Sequence, residues 1–154
     1  MRWCCDGCWR RRSKLFTYIY LGTNDLERAT RFYDAAMAVL GQRRCVTGDP
    51  GWDRIAAGWG IYENDGAVEL ALWVGLPFDG RPATVSNGAM VALRAASWRQ
   101  VDDFHSAALA AGGSSEGAPG LRLHYGPDFY AAYVRDPDGN KLAIVCRGFT
   151  APPP

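Results

Sequence analysis

Few side chains in this sequence are spaced for chemistry on their own. Cys5 and Cys8 form one Cys-x-x-Cys pair. Such a pair is half of a tetrahedral zinc site, and no second cysteine or histidine pair follows at usable spacing to close it. The pair is therefore read as incidental thiols of a tail, residues 1–14, which also carries the basic run Arg10 to Arg12. His105 falls on a helical stretch and His124 on a strand-like one, and both read as ordinary surface or half-buried residues. Five cysteines with no readable secretory leader are expected to be mostly reduced.

Composition bounds what remains. With 154 residues, 48% of them hydrophobic, the chain can bury one good core, so one domain is expected. Six Trp, seven Tyr and six Phe exceed what that core requires, which leaves aromatic mass to line a pocket. Residues 1–14 hold five basic groups against Asp6, whereas the rest of the chain holds twelve basic and fifteen acidic groups. The folded part is thus mildly acidic and lacks the Lys and Arg stripe that phosphate backbones demand, so nucleic acid is not an expected partner. No run of eighteen apolar residues exists, so a membrane partner is not expected and a cytoplasmic location is.

The elements that must position any site announce themselves by repetition. "YIYLGTNDLERATRFYDAAMAVLG" from Tyr18 and "MVALRAASWRQVDDFHSAALAAGG" from Met90 align at a constant offset of 72 residues. The match pairs Leu21 with Leu93, Phe32 with Phe104, Ala36 with Ala108 and Gly41 with Gly113. Each copy reads as a strand (Phe16 to Leu21; Ala89 to Leu93), a helix and a glycine stop. The helices are expected to be capped by Asn24 with Glu27 and by Ser97 with Gln100. Further strands are expected at Arg43 to Val46, Gly58 to Tyr62 and Val68 to Val74, and again at Leu121 to Tyr125, Phe129 to Arg135 and Lys141 to Cys146. "DPDG" at Asp136 to Gly139 suits a type I turn between the last two strands. The layout is two βαβββ modules in an α+β domain over residues 15–147, with module 1 at about 15–75, a linker at 76–87 and module 2 at about 88–147. A Pro-rich tail, residues 148–154, follows.

With that layout, "LGTNDLERATRFYDAAMAVLG", "LWVGLPFDGRPATVSNGAMVAL" and "YAAYVRDPDGNKLAIVC" resemble the vicinal oxygen chelate superfamily of glyoxalases, bleomycin resistance proteins and extradiol dioxygenases. The resemblance implies modules that pair so that curved mixed sheets surround a cup. In metal-dependent members the cup holds a divalent cation on imidazole and carboxylate ligands. Those ligand positions fall here on Tyr18, Met90 and Ala143, and for the fourth on Glu69 or, by the internal offset, on Ala71. An alanine offers no lone pair, Met90 only a soft thioether, and Tyr18 a phenol with pKa about 10. No metal and no other cofactor is therefore expected. Cys146 is an odd number of residues from Ala143 and should point to the opposite face.

Strand parity extends the implied cup wall from Tyr18 to Tyr20, and the family's substrate-contacting positions fall on Ala131 and Tyr133. Trp73 would lie near the rim. An inward Glu69 would be a candidate base, its pKa raised unless it is paired. The expectation is a metal-independent member that binds a small, partly apolar or aromatic molecule, as bleomycin resistance proteins do. The alternative is a glyoxalase I-like lyase or a dioxygenase, using either a shifted metal site or acid–base chemistry at Glu69. Many relatives dimerise, so a homodimer is implied as well.

Overall fold

Both helices start and stop for the same reasons. In the computed structural model α1 (Leu26–Val39) is capped by Asp25, whose side chain accepts from the backbone N–H of Arg28, and α2 (Trp98–Ala110) by Ser97, which accepts from Gln100. The expected Ser97 cap is thus present, whereas the expected Asn24 cap moves one residue on. Asn24 instead exchanges two hydrogen bonds with the backbone of Ala83, clipping the linker to the β1–α1 corner. Gly41 and Gly112 follow the helices at φ 72° and 95°, a left-handed turn that costs a residue with a Cβ more than it costs glycine.

The structure describes residues 16–62 and 68–150, and for 61–62 and 68–70 the backbone alone. Residues 1–15, with Cys4, Cys5 and Cys8, and residues 151–154 lie outside it, as do 63–67. The strands are β1 (Tyr18–Gly22), β2 (Ala56–Tyr62), β3 (Val68–Gly75), β4 (Val91–Arg94), β5 (Ser114–Leu121), β6 (Phe129–Arg135) and β7 (Lys141–Arg147), with a short 3-10 turn at Trp52–Arg54. They form a three-stranded sheet, β1-β3-β2, and a four-stranded sheet, β4-β7-β6-β5. Each sheet is mixed, because its first strand pairs in parallel with its last while the others run antiparallel. The α+β class and the doubled module are therefore present.

Two expected strands differ. Arg43 to Val46 contributes a single bridge, Arg44 to Trp59. The strand expected at Leu121 to Tyr125 lies instead at Ser114–Leu121, and the chain turns over on itself after it, Tyr125 donating to the carbonyl of Arg122.

Alternation along each strand sends one set of side chains to the helices. Leu72, Val74 and Trp59 from the first sheet and Ala132, Val134, Leu142, Ile144 and Cys146 from the second join Phe32, Tyr33, Val101 and Phe104 of the helices in one buried cluster. Removing a side chain the size of Phe from water contributes roughly 1.5–3 kcal/mol. Among the described elements, the first sheet packs on α1 and not α2, the second sheet on α2 and not α1, and the helices pack on each other. The order of layers is therefore sheet, helix, helix, sheet, and each sheet turns its second face away from the other.

The β6–β7 turn ties the halves together. Asp136, 3% exposed, accepts at Oδ1 from the backbone N–H groups of Asp138 and Asn140 and at Oδ2 from the Tyr33 hydroxyl and the Asn140 amide. Asp138 accepts from the Thr23 hydroxyl, the Asn24 backbone and Arg28, and Asn140 donates to the carbonyl of Gly22.

Candidate functional site

The face of the first sheet away from α1 carries Tyr18 and Tyr20 on β1, Ala71 and Trp73 on β3, and Ala56 and Gly58 on β2, the residues that alternate with the helix-facing set. Ala56, Ala71 and Trp73 make a second buried cluster there, with Tyr20, Cys45, Trp52 and Ile55 packed on it. Gly58 is required by close approach: a Cβ at that position would lie 2.7 Å from the Trp73 ring, so the indole lies flat on β2 only because no side chain stands beneath it. The Tyr20 hydroxyl donates to the carbonyl of Leu76 at 2.9 Å. Burial raises its pKa above the usual phenol value, so Tyr20 serves as a neutral wall rather than as a base.

Over this face opens a cavity of about 390 Å³ lined by Thr17, Tyr18, Tyr20, Thr47, Asp49, Trp52, Trp73 and Phe78. Its far wall comes from the loop before β2. Asp49 accepts at Oδ1 from the backbone N–H groups of Gly51 and Trp52, an Asx turn that launches the 3-10 turn and sets where Trp52 projects. Thr47 braces the same loop by donating to Asp53 at 2.7 Å. Trp52 then meets Trp73 edge to face, centroids 5.8 Å apart at 76°, and lies 6.0 Å from Phe78, while Tyr20 and Phe78 are 5.0 Å apart. The volume and the apolar wall with a few polar groups are those of a small-molecule pocket.

Of the residues singled out by the sequence, the structure brings Tyr18, Tyr20 and Trp73 to this cavity. Thr17, Thr47, Asp49, Trp52 and Phe78 were not anticipated. Thr17 immediately precedes β1, Trp52 opens the 3-10 turn and the others stand in loops, where no periodicity marks them, and a large aromatic in the Gly- and Pro-containing stretch "GDPGWD" is the signal that could have found Trp52.

Ala131 and Ala143 are 0% and 1% exposed on the second sheet. Beside them Tyr133 has Arg122 and Lys141 over its ring at 5.4 and 5.8 Å, and Glu116 pairs with both Arg135 and Lys141. Those hydrogen bonds hold the Glu116 carboxyl below the usual carboxylate range. Met90, 49% exposed, precedes β4 and borders a small void beside Leu21 and Asn140. Within one chain Tyr18, Met90 and Ala143 therefore do not surround one hollow, a correction to the expected common wall that follows from the layer order. Cys146 does face the helices, opposite to Ala143. His105 meets the Ser115 hydroxyl at 2.9 Å and His124 packs on Tyr125.

The ligand positions can also be placed. Strand register sets Ala71, not Glu69, directly beside Tyr18, and in the second sheet it sets Ala92, not Met90, beside Ala143. Glu69 lies on β3 opposite Ile61, and its side chain is outside the described residues. Among the described residues no three His, Cys, Asp or Glu side chains converge as a metal ion would require. Of the side chains described at these positions, Ala71, Ala92 and Ala143 offer no donor atom and Met90 only a soft thioether.

Residues 15–144 match the family model of the Glyoxalase/Bleomycin resistance protein/Dioxygenase superfamily. Among solved structures, a glyoxalase/bleomycin resistance protein from Albidiferax ferrireducens T118 is 34% identical, covers 88% of this chain and 100% of its own, and superposes with a TM-score of 0.72. A glyoxalase-related enzyme from Fulvimarina pelagi (21% identity, 87% and 88% coverage, TM-score 0.64) shares the fold. So does a lactoylglutathione lyase from Agrobacterium tumefaciens (19%, 89% and 96%, 0.55). No curated protein matches the chain significantly.

Proposed function

As the chain belongs to the Glyoxalase/Bleomycin resistance protein/Dioxygenase superfamily, we propose that it is a metal-independent binding member that holds a small, partly apolar or aromatic molecule against its first sheet. The observation that carries this reading is the cavity walled by Tyr18, Tyr20, Trp52, Trp73 and Phe78. Aromatic rings bury large area at little conformational cost, and rings held by Gly58, by the Leu76 carbonyl and by the Asp49 turn are already in place before a ligand arrives. A homodimer is part of the proposal. Among the described residues β1 and β4 each have a partner strand on one side only, and an unpaired edge is a template for another chain.

The test is calorimetric titration of the whole protein with 2-naphthol. One saturable site per chain is expected, with affinity reduced at least about tenfold in Trp73→Ala, as loss of a central aromatic anchor implies. Absence of a saturable site, or a site indifferent to Trp73, overturns the reading. Equilibrium dialysis against Zn²⁺ and Ni²⁺, in a Cys5→Ser, Cys8→Ser variant so that the tail thiols do not contribute, should give no stoichiometric binding. Turnover of a hemithioacetal in the presence of chelator, abolished by Glu69→Gln, would replace binding alone by a lyase. Sedimentation velocity checks the dimer, which a mass of 16.8 kDa at all concentrations would exclude.

A further inference from the structure

We propose that the molecule held by this cavity is an organic cation, an ammonium group carried on an apolar body, an inference that rests on the reading of the cavity as the binding site. The rings of Trp52, Trp73 and Phe78 all line the space, with Trp73 at 76° to Trp52 and Phe78 at 30° to it. An aromatic face is the negative end of the ring quadrupole, and several such faces around one space attract a cation within about 6 Å of each centroid. The charge on the wall agrees. Among the described residues that line the cavity, Asp49 is the one formally charged side chain, and no Lys or Arg joins it.

The carboxylate is also oriented for the task. Oδ1 of Asp49 is occupied by the Gly51 and Trp52 N–H groups, and Oδ2 accepts no hydrogen bond from the described residues. The turn that aims Trp52 thus fixes an acceptor oxygen beside it. Asp49 is exposed and its charge is solvated by water, so a neutral ligand gains nothing from it, whereas a cation in the cavity would be attracted and an anion repelled. The cations an aromatic anion would need, Arg122 and Lys141, flank Tyr133 on the other sheet.

The experiment is calorimetric titration of the full-length protein with choline, with its neutral isostere 3,3-dimethylbutan-1-ol, with benzoate and with 2-naphthol. Choline should bind at least about fivefold more tightly than the isostere, the range expected of a partly desolvated cation among ring faces. That preference should shrink in Asp49→Asn, whose amide oxygen still accepts both backbone bonds, and should fall stepwise from Trp52→Phe to Trp52→Leu. Thermal unfolding identifies any variant that has lost its fold. In that case a preference of the wild type that weakens with added salt carries the conclusion. Equal binding of choline and its isostere, or tighter binding of benzoate, overturns the cation while 2-naphthol binding keeps the pocket. Failure of all four ligands to bind removes both.

Discussion

Tyr33 shows how much one hydroxyl can be asked to do. It is fully buried and donates to Asp136 at 2.8 Å, inside the contact between the halves. A hydrogen bond to a charged acceptor contributes about 1.5–3 kcal/mol. Tyr33→Phe should lose that much in urea unfolding. Burial first, and then the Asp136 charge, push the Tyr33 pKa well above that of a free phenol. A raised folded-state pKa gives stability that is complete below the unfolded value, about 10, and declines as pH rises beyond it, because the unfolded chain releases its proton first. The wild type should therefore lose stability in that alkaline range, and Tyr33→Phe should lack this part of the decline. Gly58 works by absence: in Gly58→Ala the new methyl must displace the Trp73 ring. Affinity for 2-naphthol should fall about tenfold, equivalent to about 1.4 kcal/mol, with less effect on global stability than on binding. At this scale the family resemblance pointed to Tyr18 and Ala71, and strand alternation, with its fixed period of two, extended them to Tyr20 and Trp73, which with Tyr18 line the cavity. The sequence did not disclose Asp49, Trp52 or Phe78, whose positions follow from a turn and from tertiary packing, neither of which leaves a period.

Among the elements, helix boundaries were the most legible and the edge strand β5 the least. Glycine stops and the Ser97 cap were readable because each satisfies backbone groups that a helix end leaves open. Asn24 and Asp25 are adjacent and chemically alike, and only the linker 59 residues away decides between them, since Asn24 is taken by Ala83. Asp25→Ala should cost about 0.5–2 kcal/mol in chemical unfolding. Asn24→Ala should instead leave the helix intact and speed hydrogen exchange at the Ala83 amide. β5 was misplaced for a physical reason as well. "SSEGAPGL" contains Pro119 and glycines that argue against a central strand, but among the described residues it pairs on one side only and absorbs them in two register shifts. Leu121 to Tyr125 alternates like a strand and yet finds no surface to face, so Leu123 and Tyr125 end 71% and 60% exposed.

For the molecule as a unit, duplication was visible at a fixed spacing, whereas the stacking of the copies was not. The same module pattern permits sheets joined edge to edge or helices set back to back, and the choice lies in contacts such as Asp138 with Thr23, Asn24 and Arg28, which join residues more than 100 positions apart. Because side chains of both helices and both sheets share one buried cluster, neither half can open without exposing the other. Unfolding should be a single transition by calorimetry and circular dichroism, despite the repeat. Asp138→Ala should lower stability by about 2 kcal/mol while leaving that transition single. Two resolved steps would show that the halves are separable.

The placement of the indoles makes the protein its own optical gauge. Trp59 is sealed against α1 with its N–H on Asp34, and Trp98 is stacked on Tyr130, so their emission should change only when the fold is lost. Trp52 and Trp73 border the cavity, and quenching by a small solute such as acrylamide should be relieved there by whatever fills it. Occupancy and integrity could then be followed in one cuvette, without a label.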